Sequence, residues 1–278
     1  MKRLCHLALT LLAALWVTTA RAQIPTNGTD SYAGMRLTAT QAHKVSGGMK
    51  VYASEEVRLA DRWLSREKYL LTLGTTYKCT PWLSTGADYT FAVKRKNRGD
   101  FSPMHRISAA ATLSADIGRW ELSLRETLQM TNRPGDTDLC KHARNEVDLK
   151  SRAKVRYSIS KRWKPYAFAE MKLVLNGPSL GDYLYDSSIM RYTTPDGSLY
   201  GEPLWFIDGY DDISVSRWRF GAGMEHKIDK KNAVKFYAMH DLSHNLRIKS
   251  ASDGTVLRSL AYTPHDITIF GLEYTHNF

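Results

Sequence analysis

The chain has 278 residues and a formal net charge of +11, with 43% hydrophobic and 24% charged side chains. Its length suits a single domain or one barrel. A basic balance suggests nucleic acid, but the N-terminus carries an export signal, so acidic lipid headgroups are the expected partners and no nucleic acid is.

Lys2 and Arg3 form the positive region of that signal, and Leu7 to Val17 form its apolar run. Ala20 and Ala22 place small residues where a signal peptidase reads, so residues 1–22 are expected to leave by cleavage before Gln23. The apolar run is too short and wrongly flanked for a membrane-spanning helix. Cys5 precedes the run, which argues against a lipoprotein signal. Residues 23–278 then form one domain.

Beyond residue 22 no stretch is apolar for the 18 or more residues a spanning helix needs. The dominant period is two, which reads as β-strand. From Val147 to Ile159, Val147, Leu149, Ala153, Val155 and Tyr157 alternate with Asp148, Lys150, Arg152, Lys154 and Arg156. The same split recurs along the chain and predicts strands near 48–60, 67–78, 82–94, 104–115, 119–131, 145–158, 164–175, 213–227, 232–245 and 263–278. Residues 33–47 also look strand-like and are left either as a periplasmic or lumenal segment or as one of a further pair. The expected fold is therefore all-β: an antiparallel up-and-down transmembrane barrel of about ten strands, or twelve.

Alternation also occurs in soluble sandwiches, and further features favour the membrane. The segments are longer than ordinary soluble strands and match the reach of tilted membrane strands. Short turns near 79–81, 116–118, 160–162 and 229–231 alternate with long loops at 95–103, 132–144, 176–212 and 246–262, as periplasmic turns and outer loops do. Trp82, Trp120 and Trp163 each follow a short turn and read as a periplasmic aromatic girdle. Phe270, Tyr274 and Phe278 share one face of the last strand and resemble the terminal signal read by the outer-membrane assembly machinery. The expected location is the outer membrane of a Gram-negative cell.

Several segments carry a family resemblance: Glu55 to Arg58, Leu73 to Lys78, Met104 to Ile107, Trp120 to Asn132, Arg144 to Pro178 and Phe270 to Tyr274. Their ordered series resembles the predicted outer-membrane barrels, common in Bacteroidetes, grouped as a domain of unknown function, DUF2490. That resemblance implies a barrel and supplies no activity, substrate or catalytic residue.

Chemistry is expected in few places. Arg58, Arg106, Arg125, Arg152, Arg156, Glu170, Arg219, Glu225 and Glu273 should point into the lumen with Lys150, Lys154 and Arg217. Buried charges must pair, so a structural salt-bridge network is expected, and a narrow anion-favouring pore is the functional alternative. His240, Asp241, Ser243 and His244 lie close in sequence, yet His240 and Asp241 point to opposite faces of a strand. A dyad would need partners from adjacent strands, such as His226 or His265. No catalytic residue, metal site or cofactor is assigned.

Loop 176–212 gathers Tyr183, Tyr185, Trp205, Phe206 and several aspartates. It is expected to pack on itself and cap the barrel mouth, and as the functional alternative it offers a surface for a glycan, Ca²⁺ or a protein ligand. Lys94 to Arg98 faces the same outer side and suits the phosphates of lipopolysaccharide. Cys79 and Cys140 should lie at opposite ends of the barrel and stay unpaired. The leading expectation is a structural or interaction barrel. The alternatives are an enzyme modifying lipid A or phospholipid, and a passive pore.

Overall fold

The computed structural model describes residues 30–60, 66–95, 101–134, 143–180, 192–193, 199–200, 207–250 and 257–278. Among them it contains strands and turns and no helix. The first six strands are β1 (Asp30–Ser46), β2 (Met49–Ala60), β3 (Arg66–Lys78), β4 (Leu83–Arg95), β5 (Phe101–Ile117) and β6 (Trp120–Asn132). Then come β7 (Asn145–Tyr157), β8 (Trp163–Leu180), the small hairpin β9 (Tyr192–Thr193) and β10 (Leu199–Tyr200), β11 (Ile207–Lys227), β12 (Asn232–Ser250) and β13 (Leu257–Asn277). All but β9 and β10 join one closed barrel of eleven strands, in the order β1-β13-β12-β11-β8-β7-β6-β5-β4-β3-β2.

The pleat assigns each side chain to a face, and the result is the inverse of a soluble protein. Outward, Leu37, Leu71, Ile107, Leu128, Phe236 and Phe270 stand exposed. Inward, Asp148, Glu170, Arg219, Glu225 and Asp241 are buried. The buried apolar cluster is small, comprising Leu70, Ala92 and Met104. Aromatic rings fill part of the lumen by lying over glycines on the next strand. Tyr237 covers Gly271 so closely that a Cβ there would stand 2.0 Å from the ring. Tyr52 covers Gly74 in the same way.

Short connections gather at one end. Gly48 and Gly118 turn there with φ of 120° and 62°, conformations that favour glycine. At the Cys79–Trp82 turn the Thr80 hydroxyl accepts the Leu83 N–H at 2.9 Å. In the next turn but one, Ser160 Oγ accepts the N–H groups of Arg162 and Trp163 at 3.2 and 3.0 Å. The long connections lie at the other end, and they are shorter than their sequence suggested. β8 runs on to Leu180, β11 begins at Ile207 and β13 begins at Leu257.

The expectation of ten strands, with 33–47 set aside, is corrected. That segment is β1, and it pairs with β2 on one side and β13 on the other. The last strand would otherwise present an open row of N–H and C=O groups, and β1 satisfies them. Because each hairpin reverses direction, the first and eleventh strands of the barrel run the same way. The closing pair is therefore parallel, and the sheet is mixed instead of wholly antiparallel. Phe278 completes the seam by donating its N–H to Ala42 O at 2.9 Å. The odd count also departs from bacterial single-chain barrels. It makes β1 start at the long-loop end, so the first strand starts and the last strand ends at opposite ends of the barrel.

Candidate functional site

The densest chemistry lies inside the barrel, where inward positions of β7, β8, β11 and β12 meet. Glu170 accepts from three guanidinium groups: Arg152 (Nε at 2.8 Å), Arg219 (2.9 Å) and Arg217 (3.1 Å). Arg219 reaches on to Asp241 with Nε at 3.2 Å and Nη2 at 2.5 Å. Register explains the meeting, since Glu170 lies opposite Arg152 on one side and Arg219 on the other, and Arg219 lies opposite Asp241. Planar guanidinium forks suit such shared carboxylates.

Toward the short turns, Arg156 bridges Glu121 at 3.1 Å and Glu225 at 3.0 Å. Lys235 donates to Glu273 at 2.6 Å. Toward the long loops, Lys172 holds Glu146 at 2.8 Å and Asp148 at 3.0 Å, and Arg133 approaches Glu146 at 3.3 Å. The Gln129 side-chain amide also donates to Asp148, at 3.2 Å. On the opposite wall Glu56 pairs with Arg58 and, at 3.2 Å, with Arg36.

Four of the expected lumenal cations, Arg106, Arg125, Lys150 and Lys154, join no ion pair among the described residues, and Lys150 donates to Gln129 instead. Arg106 Nε is buried without a hydrogen-bond partner. Arg125 sits opposite Arg152 and remains exposed within the lumen. The Arg152 side chain is itself 41% exposed, so water reaches the middle of the barrel. Lys154 lies over the Tyr166 ring at 4.1 Å, a cation–π contact in place of a carboxylate.

Sequence reading missed Arg36, Lys68, Lys172 and Asp241 as members of this interior. Lys172 shares the parity of Glu170, which was the available signal. Arg36 was lost with the strand that carries it, and Asp241 was read only as His240's neighbour.

Outside the barrel, His240 does find partners on the adjacent strand. Its Nε2 lies 3.1 Å from Asp266 Oδ1, and its Nδ1 lies 3.4 Å from Thr268 Oγ1. A shallow outer hollow borders His240 and Thr268, with Phe220, Ala222 and Ala238 on its walls. His226 stacks instead on Trp163, with ring centroids 3.9 Å apart, at the short-turn rim. The side chain of His265 lies outside the described residues. Glu126 breaks the apolar outer face of β6, and its carboxylate accepts from the Ser151 hydroxyl at 2.6 Å.

Trp82, Trp120 and Trp163 stand exposed at the short-turn end, and Phe270, Tyr274 and Phe278 stand exposed along the last strand. Cys79 is a free thiol in its turn. Cys140, Lys96 to Arg98, residues 1–29 and most of the loop after β8, with Tyr183, Tyr185, Trp205 and Phe206, lie outside the described residues.

A family described as proteins of unknown function, DUF2490, matches residues 34–184. The match begins inside β1 and runs past β8, so the strand that sequence reading set aside is part of the shared stretch, while the closing motif at 270–274 lies beyond it. No curated protein matches the chain.

Proposed function

The chain belongs to the family of proteins of unknown function DUF2490, and we propose that it is an integral barrel of the bacterial outer membrane whose working surface is its outer loops. One observation carries this reading: apolar residues stand exposed around the outside while charged residues are buried within. In water such an exterior would drive aggregation, whereas lipid satisfies it. Closure without a free edge meets the same demand, because no backbone group faces hydrocarbon unpaired. The tryptophans at the short-turn rim suit headgroup depth, and the shortness of those turns favours the periplasmic side for that rim. Lipids and lipopolysaccharide are then its surroundings, the assembly machinery its partner during insertion through Phe278, and a glycan or a protein the ligand of the outer loops.

Cell fractionation and gels without boiling test the location. Recovery with outer membranes and heat-modifiable migration are expected. Purification as a soluble monomer without detergent would sink the proposal.

A second reading, an enzyme acting on acyl esters of outer-membrane lipids, is favoured by the His240, Asp266 and Thr268 cluster on the outer face. Ionisable groups on a lipid-facing wall are costly and tend to be functional. In that reading His240 takes the Thr268 proton as the hydroxyl attacks an ester carbonyl and returns it to the alcohol as the ester C–O bond breaks; water then hydrolyses the acyl-Thr268, and Asp266 orients the imidazole throughout. Comparing lipid mass spectra of a deletion strain and a Thr268→Val strain with wild type tests it. Unchanged spectra exclude it.

A further inference from the structure

Arg36, Arg58, Lys68 and Lys94 stand in one lateral row across β1 to β4. Arg36 is opposite Arg58, Arg58 is opposite Lys68, and Lys68 is opposite Lys94. Like charges directly opposite one another weaken a sheet. Glu56 offsets part of that repulsion by pairing with Arg36 and Arg58. Around Lys68 stand the cations Arg58, Arg106, Lys94 and Arg133, with Glu56, shared by Arg36 and Arg58, as the carboxylate beside them. Around Arg106 stand Arg58, Asp148, Arg133 and Arg217, three cations to one carboxylate.

The carboxylates of this half of the lumen are already committed. Asp148 is held by Lys172 and Gln129, Glu146 by Lys172 and Arg133, and Glu56 by Arg36 and Arg58. Donor atoms are left over: Arg106 Nε, Arg133 Nη1 and Arg217 Nε are buried without a hydrogen-bond partner among the described residues, as are the acceptors Asp148 Oδ1 and Asp241 Oδ1, the latter 3.9 Å from Arg217 Nε. A barrel interior that keeps surplus positive charge and unused guanidinium donors together, on several strands, is organised around a negative group that its described residues do not supply.

We propose that the long-loop half of the lumen is a binding site for a multiply charged phosphate-type oxyanion, with Arg58, Lys68, Arg106, Arg133 and Arg217 as its ligands. A phosphate offers several acceptor oxygens and about two charges, matching forked donors that converge from opposite walls. Chloride or a monocarboxylate would leave most of the donors unused. The lumen admits soluble anions, so inorganic phosphate, pyrophosphate or the phosphate end of a small solute are the sources that fit, and a lipid headgroup outside the wall is not. The site concerns the interior and holds whether or not the barrel resides in a membrane.

The test is calorimetric titration of residues 23–278, refolded as a barrel with its mobility checked without boiling, at constant ionic strength. Pyrophosphate and inorganic phosphate are the probes, with chloride, acetate and lipid A micelles as the comparison arms. Saturable phosphate and pyrophosphate binding is expected, with at least about a tenfold loss in Lys68→Gln/Arg106→Gln. Lys154→Gln, whose charged neighbours are Lys235, Arg156, Glu225 and Arg152, is expected to keep wild-type affinity. In phosphate-free buffer the double variant is also expected to melt above wild type, because repulsion has been removed, and to lose the rise in melting temperature that phosphate gives wild type. Absence of saturable heat, equal affinity for chloride or acetate, tighter binding of lipid A than of free phosphate, or an unaffected double variant would each overturn the site.

Discussion

Glu170 is the residue on which the interior depends most, since it is 4% exposed and serves Arg152, Arg217 and Arg219 together. Glu170→Gln preserves shape but removes the charge all three require. Loss of a partner from a buried ion cluster costs on the order of 3 kcal/mol. The midpoint of heat modification should fall accordingly, and an unchanged midpoint would mean the cluster is not stabilising. Glu273→Gln is the contrast, because Lys235 and Glu273 are 26% and 28% exposed and solvent screens them; about 1 kcal/mol or less is expected. Gly271 raises a steric question in place of an electrostatic one. Its replacement by Ala would press on Tyr237 and should cost about 1–3 kcal/mol. Tyr237→Leu in the same chain should recover much of that loss, and a double-mutant cycle without coupling would show that the ring does not need the glycine.

At the scale of elements, the strands follow from alternation, and their turns follow from side chains that replace missing backbone partners. The turn before β12 is held by Asp229, whose carboxylate accepts from Asn232 Nδ2 and from the N–H groups of Lys231 and Asn232, all at 2.7 Å. Those hydrogen bonds, the Asn232 side chain first, hold the Asp229 carboxyl below the usual carboxylate range. A depressed folded value means the stabilisation is present above the unfolded value and fades as pH falls through the folded one. The melting temperature of Asp229→Ala should therefore trail wild type at neutral pH and converge with it in strong acid. A gap that persists in strong acid would contradict this account. The turns at 79–81, 116–118, 160–162 and 229–231 were legible because Pro81, Gly118, Ser160 and Asp229 punctuate them. The ends of β8, β11 and β13 were not, because polar and aromatic residues continue the pairing where composition suggests loop.

For the whole molecule the parallel seam between β1 and β13 is the decisive feature. Leu37 pairs with Leu272 across it. Introducing Leu37→Cys and Leu272→Cys together in a Cys79→Ser background should give an intramolecular cross-link on mild oxidation, visible as faster migration. Failure of that link, with a control pair across β12 and β13 forming, would mean β1 does not close the barrel. The same seam bears on orientation, because an odd number of strands puts the start of β1 and the end of β13 at opposite rims.

The sequence by itself determined that this protein is all-β, that charged residues alternate with apolar ones, and that short and long connections take turns. Those are local properties, fixed by the two-residue period of a strand and by turn residues a few positions apart. Which charges meet depends on register, a relation between segments far apart in the chain. Glu170 with Arg219, Arg156 with Glu225, and the row from Arg36 to Lys94 could be named only once the strands were laid side by side. Closure was of the same kind. The pattern in 33–47 was visible as a strand, but only the last strand's need for a partner made it the eleventh strand of the barrel.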